Sequence, residues 1–245
     1  VIAGTFILSI TNVIFPRLSR LTAGGEEGAF RDTLRQTVHT SLFFVFPMSA
    51  GLMAVARPLV SFLYGGGTFD DFSVQITSTA LVWSSLGMAG YGVQNVLSRA
   101  YFARQQGRGP LLAGVAAIAV NILLCMVLTD PFSVAGLAFA SAVSSTVYAL
   151  LLLIPLQRRG EGVLDRPFAR DLVKMLLAAL LTGAWAAGLL QLLQGFLPAG
   201  KAGELAALLI CALTGAAVYF AAAALLGLQE AKLALSLVKR IRKRG

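Results

Sequence analysis

The sequence predicts an all-α protein, a polytopic bundle of transmembrane helices, and three observations support this prediction. The 245 residues are 57% hydrophobic and 13% charged, with a mean hydropathy of +0.79, whereas a soluble domain of this size carries far more charge on its surface. Long apolar stretches recur along the chain. The basic residues are concentrated in alternate loops between these stretches.

Six apolar stretches are long enough to cross a hydrocarbon core of about 30 Å as helices that rise about 1.5 Å per residue. They are residues 38–64, 72–103, 111–128, 134–156, 172–193 and 205–228. The opening run, 1–15, is a little short of a full span and begins without a charged flank. We therefore expect residue 1 to lie partway through a helix, with an N-terminal portion of the protein missing from this sequence.

The positions of the basic residues predict the orientation of the bundle. Arginines and lysines cluster between the first and second spans, the third and fourth, the fifth and sixth, and after the last span. The exceptions among the 20 basic residues are Arg57 and Lys201. This alternation follows the positive-inside rule and predicts that the basic loops and the C-terminus lie in the cytoplasm.

The net charge of +9 has the same explanation. The terminal sequence KRIRKRG is interpreted as a topology anchor at the anionic inner leaflet. A nucleic acid is therefore not an expected partner, whereas membrane lipids are.

The stretch ARPLVSFLYGGGTFDD, residues 56–71, could be a glycine-rich phosphate loop or a turn between two spans. A phosphate loop needs a preceding strand, a following helix and a closing Lys–Ser/Thr pair, and the sequence has none of them here. Glycines commonly end helices, and carboxylates such as Asp70 and Asp71 favour helix N-termini. The stretch is therefore predicted to be a turn.

Three segments carry a family resemblance. They are FPMSAGLMAVARPLVSFLYGGGTFD at 46–70, GTFILSITNVIFPRLSRL at 4–21 and VQNVLSRAYFARQQGRGP at 93–110. They contain a helix with an internal proline before a Leu-Phe/Tyr-x-x-Gly-x-Phe turn, a helix ending in Pro-x-Leu-Ser, and an aromatic pair before a polar loop. In these features the segments resemble the MurJ (MviN) family of lipid II flippases. The order and spacing of the segments agree with that family, whereas the rest of the chain resembles it in hydropathy and helix count.

The resemblance implies the second lobe of a two-lobe exporter fold plus two additional C-terminal helices, with the N-terminal lobe missing. Residues 1–160 would form this lobe, from part of one helix and four full helices. Residues 161–228 would form two further helices with a possible lipid-tail groove, and 229–245 a basic cytoplasmic tail. The partner implied for this chain is the missing N-terminal half of the same protein, and no cofactor is implied.

The implied function is to move lipid II, an undecaprenyl-pyrophosphate-linked disaccharide-pentapeptide, from the inner to the outer leaflet by alternating access. The implied location is the bacterial cytoplasmic (inner) membrane, and the implied process is peptidoglycan synthesis. A substrate of this kind needs a polar cavity for its headgroup and an apolar groove for its tail.

Polar residues within spans are expensive in lipid and therefore face protein or a water-filled cavity. On this ground the candidates for substrate binding are Asn12, His39, Gln94, Asn95 and Arg99. Asn95 and Arg99 are i, i+4 neighbours and could meet a pyrophosphate, or they could bond across helices. His39 could be a proton switch or an interfacial residue at a helix end.

Small residues in the last two spans are the candidates for the lipid-tail groove: Gly183, Ala187, Gly215 and Ala222. Small residues either allow helices to pack closely or leave a shallow channel for an acyl chain. The sequence leaves both interpretations open.

Three other functions are alternatives to a flippase. A polysaccharide-repeat or multidrug exporter of the same superfamily is the main alternative. A membrane enzyme acting on polyprenyl phosphates would need acidic and histidine residues clustered for a metal and a pyrophosphate. The aspartate doublet Asp70–Asp71 has no histidine nearby, so the chain is not expected to be an enzyme. A non-transporting scaffold remains a further alternative.

Overall fold

The structure is a computed structural model that describes residues 2–67, 69–158, 163–196, 200–228 and 230. Within these residues the chain is helical apart from short connections and one isolated bridge between Gly66 and Phe69. The helices are α1 (Ile2–Ala23), α2 (Glu27–Ala54), α3 (Ala56–Tyr64), α4 (Asp71–Leu86), α5 (Met88–Ala103), α6 (Arg108–Arg158), α7 (Arg166–Phe196) and α8 (Lys201–Leu225). The predicted basic tail lies outside the described residues, except for Glu230.

The predicted span 38–64 is formed by α2 and α3 together, with a break at Val55. Pro58 explains the break, because its ring lacks an N–H and clashes with the carbonyl four residues earlier, at Ala54. The helix then ends in the predicted glycine turn, where Gly66 and Gly67 have positive φ angles of 115° and 64°. Asp70 accepts a hydrogen bond from the Ser73 N–H at 2.9 Å and caps the start of α4.

The predicted span 72–103 is likewise divided, into α4 and α5, at Gly87. This glycine lies so close to α6 that a Cβ atom added to it would be 2.5 Å from the Cα of Ala142. Two serine hydroxyls bond the carbonyls at the break: Ser49 donates to Ser85 at 2.5 Å, and Ser145 donates to Gly87 at 3.2 Å. The break is therefore a packing site between α4–α5 and α6.

The 51 residues of α6 form two antiparallel arms, 108–132 and 134–158, because Ser133 has a non-helical backbone with φ 51° and ψ −128°. The Ser144 hydroxyl donates to the Ala117 carbonyl across the arms at 2.8 Å. Gly136 allows the close approach beside the turn, since a Cβ there would lie 2.3 Å from the Leu128 carbonyl oxygen. These arms correspond to the predicted spans 111–128 and 134–156.

Four of the described helices, α2, α6, α7 and α8, are long and apolar enough to cross a membrane. The two arms of α6 match two predicted spans, and α4 and α5 together match the predicted span 72–103. The predicted spans 172–193 and 205–228 lie largely within α7 and α8. The all-α prediction and the order of the predicted spans are confirmed, although two of those spans are interrupted.

The core lies where α1, α2, α5 and α7 meet, around fully buried side chains such as Leu18, Leu34, Leu97 and Met175. The outer faces expose large apolar side chains, as expected for a surface in contact with lipid. We call the end of the bundle at which α2, α6 and α7 begin the basic end. There the Arg104 guanidinium bonds Glu27 and lies 4.1 Å from the centre of the Phe30 ring.

Candidate functional site

An apolar groove of about 340 Å³ runs between α2 and α8, with α7 as its floor. Among the residues that the structure describes, no charged side chain lines it. The α2 wall consists of Phe44, Pro47, Met48, Gly51, Leu52 and Val55; the floor, of Thr182 and Ala186; and the α8 wall, of Leu208, Cys211, Ala212, Gly215, Ala216, Tyr219 and Phe220. The groove therefore offers a hydrocarbon-like surface within the bundle.

The polar groups in the floor are satisfied locally, which keeps the groove apolar. The Thr182 hydroxyl donates to the Ala178 carbonyl of its own helix at 2.8 Å. Gly215 widens the groove opposite Thr182, because a Cβ at this glycine would lie 3.5 Å from the threonine methyl group. A large side chain at Gly215 would therefore project into the space that the groove now leaves open.

The half of the groove nearer the basic end is closed by a hydrogen bond that forms because of a proline. Pro47 has no N–H, so the Phe43 carbonyl, four residues earlier, lacks its helical donor. The Tyr219 hydroxyl of α8 donates to this carbonyl at 2.6 Å, and the Phe43 and Tyr219 rings lie 5.1 Å apart. Tyr219 is 1% exposed, so the contact is fully enclosed.

The opposite end of the groove is bridged by a second polar contact. The Ser61 hydroxyl of α3 donates to the Glu204 carboxylate at 2.7 Å. Glu204 lies in the first turn of α8, where a negative charge is favoured by the helix dipole. The two ends of α8 are thus both bonded to the α2–α3 side of the groove.

An ionic cluster lies at the basic end, beyond the Tyr219 contact. His39 Nδ1 lies 2.5 Å from Glu230 Oε1, and His39 Nε2 lies 3.6 Å from Asp171 Oδ2. Lys174 approaches the same aspartate at 3.4 Å, and Arg35 pairs with Asp165 at 2.7 Å. The cluster joins α2, α7 and the segment that follows α8.

The position of Glu230 affects its ionisation. Burial, the largest single influence, raises the pKa of its carboxyl. The hydrogen bond with His39, a backbone hydrogen bond and the charge of His39 together outweigh burial, so the pKa lies below the ordinary value of 4.5. The glutamate therefore stays charged in the folded protein, paired with His39.

A polar cleft of about 480 Å³ lies on the other side of the bundle, between α5 and the two arms of α6. Its polar residues are Gln94, Asn95, Ser98, Asn121, Ser141, Ser144, Ser145 and Tyr148. In the described part of the chain, no charged side chain lines this cleft. Most of the hydroxyls donate to carbonyls of the bundle, as Ser98 does to Gln94 at 2.7 Å, so their free capacity is that of acceptors.

The structure brings some of the predicted substrate residues together and separates others. Gln94 and Asn95 both line the polar cleft. The Asn95 amide donates to the Tyr91 carbonyl at 2.7 Å. The Arg99 guanidinium instead lies 5.9 Å from the centre of the Phe15 ring on α1, Asn12 is exposed on α1, and His39 belongs to the ionic cluster.

The predicted groove residues are also distributed between two environments. Gly215 lies in the apolar groove, whereas a Cβ at Gly183 would contact Ala50 of α2 at 3.4 Å. Ala222 is buried in the core at 7% exposure, and Ala187 does not line the groove. Gly183 and Ala222 are therefore closely packed, Gly215 lies in the apolar groove, and their assignment to a lipid-tail groove stays a prediction.

Sequence reasoning missed several residues of these sites. The available signal at Pro47 was a proline within a predicted span, which leaves the carbonyl four residues earlier in need of a donor. The available signal at Tyr219 was an aromatic residue with a hydroxyl at membrane depth. Glu204 and Glu230 gave no local signal, because their partners lie 143 and 191 residues away in sequence. Among the described residues there is no group of three or more His, Cys, Asp or Glu that could hold a metal ion.

The stability that Glu230 contributes is expected to depend on pH. Because its folded-state pKa is depressed, the contribution is present above the unfolded-state pKa and is lost as the pH falls through the folded-state value. The variant Glu230→Gln should therefore unfold at a lower temperature than the parent protein at neutral pH. The difference should shrink as the pH falls below 4.5, the ordinary value.

The measurement is thermal unfolding in detergent across this pH range, with Glu26→Gln as the control because Glu26 is exposed in the α1–α2 turn. A difference between Glu230→Gln and the parent protein that persists at low pH would contradict the assignment.

Comparisons with known proteins agree on one family. The family model described as "Lipid II flippase MurJ" matches residues 2–223. The probable lipid II flippase MurJ of Rhizobium meliloti (strain 1021) is 28% identical over 244 residues, covering 99% of this chain and 45% of the relative. The probable lipid II flippase MurJ of Haemophilus influenzae (strain ATCC 51907 / DSM 11121 / KW20 / Rd) is 32% identical over 187 residues, covering 74% and 36%.

A solved structure supports the fold. The lipid II flippase MurJ in an inward closed conformation superposes with a TM-score of 0.73 at 24% identity, covering 91% of this chain and 43% of that one. The chain thus spans less than half the length of these relatives. With the family model matched over most of its length and the apolar helices described above, this multi-pass membrane protein belongs to the lipid II flippase MurJ family.

Proposed function

We propose that this chain forms part of a flippase that moves lipid II from the inner to the outer leaflet of the bacterial cytoplasmic membrane by alternating access. The observation that carries the proposal is the apolar groove between α2, α7 and α8 in a chain whose relatives are named lipid II flippases. A lipid-linked substrate needs such a surface for its polyprenyl tail, because apolar chains leave water and polar surfaces readily.

In this proposal the groove holds the tail, and the polar cleft contributes hydrogen-bonding groups to the headgroup cavity. The cleft is rich in acceptors and carries no charge, which suits the hydroxyls and amides of a sugar and peptide better than a pyrophosphate. Gln94 and Asn95 are the two predicted substrate residues whose side chains line it, so the proposal for the headgroup rests on them.

The organisation and orientation follow the same reasoning. Residues 1–160 serve as a transporter lobe, 161–228 as two further helices that supply the groove, and the remaining basic tail as a membrane anchor. The basic end faces the cytoplasm, because basic residues accumulate on that side of bacterial membranes. The remaining part of the transport cavity comes from a second lobe, which is the chain's main protein partner.

The proposed activity is tested by complementation. This chain replaces the segment that it matches in the Rhizobium meliloti relative, and the chimera is expressed in a bacterium whose own lipid II flippase is depleted. The chimera should restore growth and the exposure of lipid II at the outer face. If the relative itself rescues growth and a well-inserted chimera does not, a polysaccharide-repeat or multidrug exporter becomes the better hypothesis for the function of this chain.

Filling the groove should abolish this rescue. In Gly215→Phe the phenyl ring occupies the space opposite Thr182, so a tail cannot enter. The matched control is Leu213→Phe, two residues away on α8, at a side chain that is 73% exposed towards the lipid. With equal amounts of both proteins in the membrane, the Leu213 variant should rescue and the Gly215 variant should not. Rescue by both would contradict the role of the groove.

Removing a hydrogen-bonding group from the cleft should slow transport. The variant Asn95→Leu keeps the size of the side chain and removes its amide, so the rate of lipid II exposure should fall about fivefold to tenfold, as expected for the loss of a hydrogen bond to the substrate. Thr214→Val on α8 is the control, because its hydroxyl lies outside the cleft and bonds its own helix at Ile210, as the Asn95 amide does at Tyr91. An unchanged rate in the Asn95 variant would remove the cleft from the headgroup site.

A further inference from the structure

The apolar groove is bounded along its length by polar contacts that all join α8 to the α2–α3 side. At one end the Ser61 hydroxyl donates to Glu204 at 2.7 Å. At the basic end the Tyr219 hydroxyl donates to the Phe43 carbonyl at 2.6 Å. The lining side chains between these two contacts are apolar or small.

We propose that these two contacts are clasps that fix the width of the groove. Glu204 and Tyr219 are thus positioning residues, since their hydrogen bonds hold α8 at a set distance from α2. The apolar wall that a tail would contact at the middle of the groove comes from the residues between them. The proposal rests on the proposed function only in naming a lipid tail as the occupant. The fastening itself can be tested without lipid II.

The clasp at Tyr219 depends on Pro47. Because Pro47 lacks an N–H, the Phe43 carbonyl is free to accept a bond from another helix, and at this depth no water is present to satisfy it. The proline therefore creates the acceptor to which α8 is fastened. An alanine at position 47 would supply the missing N–H and compete with the tyrosine.

The clasp at Glu204 is placed where it can be released. Glu204 lies in the first turn of α8 and is partly exposed, as is Ser61. Tyr219 is instead buried, and its ring contacts the Phe43 and Phe220 rings. Breaking the bond at Glu204 costs less, since water or headgroups can then satisfy the carboxylate. The groove is therefore expected to open from the Glu204 end and to pivot at Tyr219.

The chain contains a natural probe of this opening. Cys211 lies in the α8 wall between the two clasps and is 2% exposed. The other cysteine, Cys125, can be replaced by alanine, after which Cys211 is the single thiol of the two present in the sequence. Its rate of alkylation by the membrane-permeant reagent N-ethylmaleimide reports how often the groove admits a small molecule.

The test compares clasp variants with a matched control in the full chain in membranes, in the Cys125→Ala background. Ser61→Ala, Glu204→Leu and Tyr219→Phe should each raise the alkylation rate of Cys211 about fivefold, the change expected when an opening equilibrium loses one hydrogen bond. Arg35→Gln should leave the rate unchanged, because it breaks the Arg35–Asp165 pair, which lies away from the groove.

Two results would overturn the proposal: alkylation rates in the clasp variants that stay within about twofold of the parent, or an equal increase in Arg35→Gln. Helix content and elution volume are checked so that a rate is interpreted only for folded protein. If Tyr219→Phe does not fold, Ser61→Ala and Glu204→Leu decide the outcome, because both change partly exposed side chains.

A double-mutant cycle separates a clasp that acts through Pro47 from general packing. In Pro47→Ala the new N–H satisfies the Phe43 carbonyl, so adding Tyr219→Phe should change the alkylation rate much less than it does in the parent. Equal effects in both backgrounds would show that the tyrosine hydroxyl acts independently of the carbonyl that Pro47 frees. None of these measurements uses lipid II. The clasps can therefore be supported even if complementation fails, and complementation can succeed even if the clasps are refuted.

Discussion

The structure depends on one constraint: a backbone carbonyl freed at membrane depth must find a donor on another helix, because no water is available there. Pro47 frees the Phe43 carbonyl, and Tyr219 of α8 supplies the donor. The break at Gly87 exposes carbonyls that accept bonds from serines of α2 and α6. These two interruptions therefore help to fix where a neighbouring helix packs, and the bundle is held together there as well as by its apolar core.

The groove is a consequence of this arrangement. α7 packs against both α2 and α8, through small residues such as Gly183, and so keeps those two helices apart over the middle of their length. α8 returns to the α2–α3 side near its ends, where Glu204 and Tyr219 find polar partners. A slot with an apolar interior and polar fastenings results, and its lining is suited to a hydrocarbon chain rather than to an ion or a sugar.

Much of this architecture could be predicted from the sequence, because span length, charge alternation and turn chemistry are local properties. The turns at Gly66–Gly67 and at Ser133 fall in predicted connections. The break at Gly87 could not be predicted, since it depends on the approach of Ala142. For the same reason, the i, i+4 spacing of Asn95 and Arg99 did not reveal that one lines the cleft and the other lies against Phe15. Contacts such as His39 with Glu230 join residues too far apart in sequence for any local pattern to indicate.

The central claim is that the groove holds the polyprenyl tail of a lipid-linked substrate. Its most direct test is photocrosslinking of the chimera with a lipid II analogue that carries a diazirine within its polyprenyl chain, followed by mapping of the adducts by mass spectrometry. The account predicts adducts on the groove walls, in the stretches Pro47–Leu52 and Leu208–Phe220, that excess unlabelled lipid II removes. Adducts confined to the lipid-exposed face of α6, around Leu111 and Met126, would contradict it.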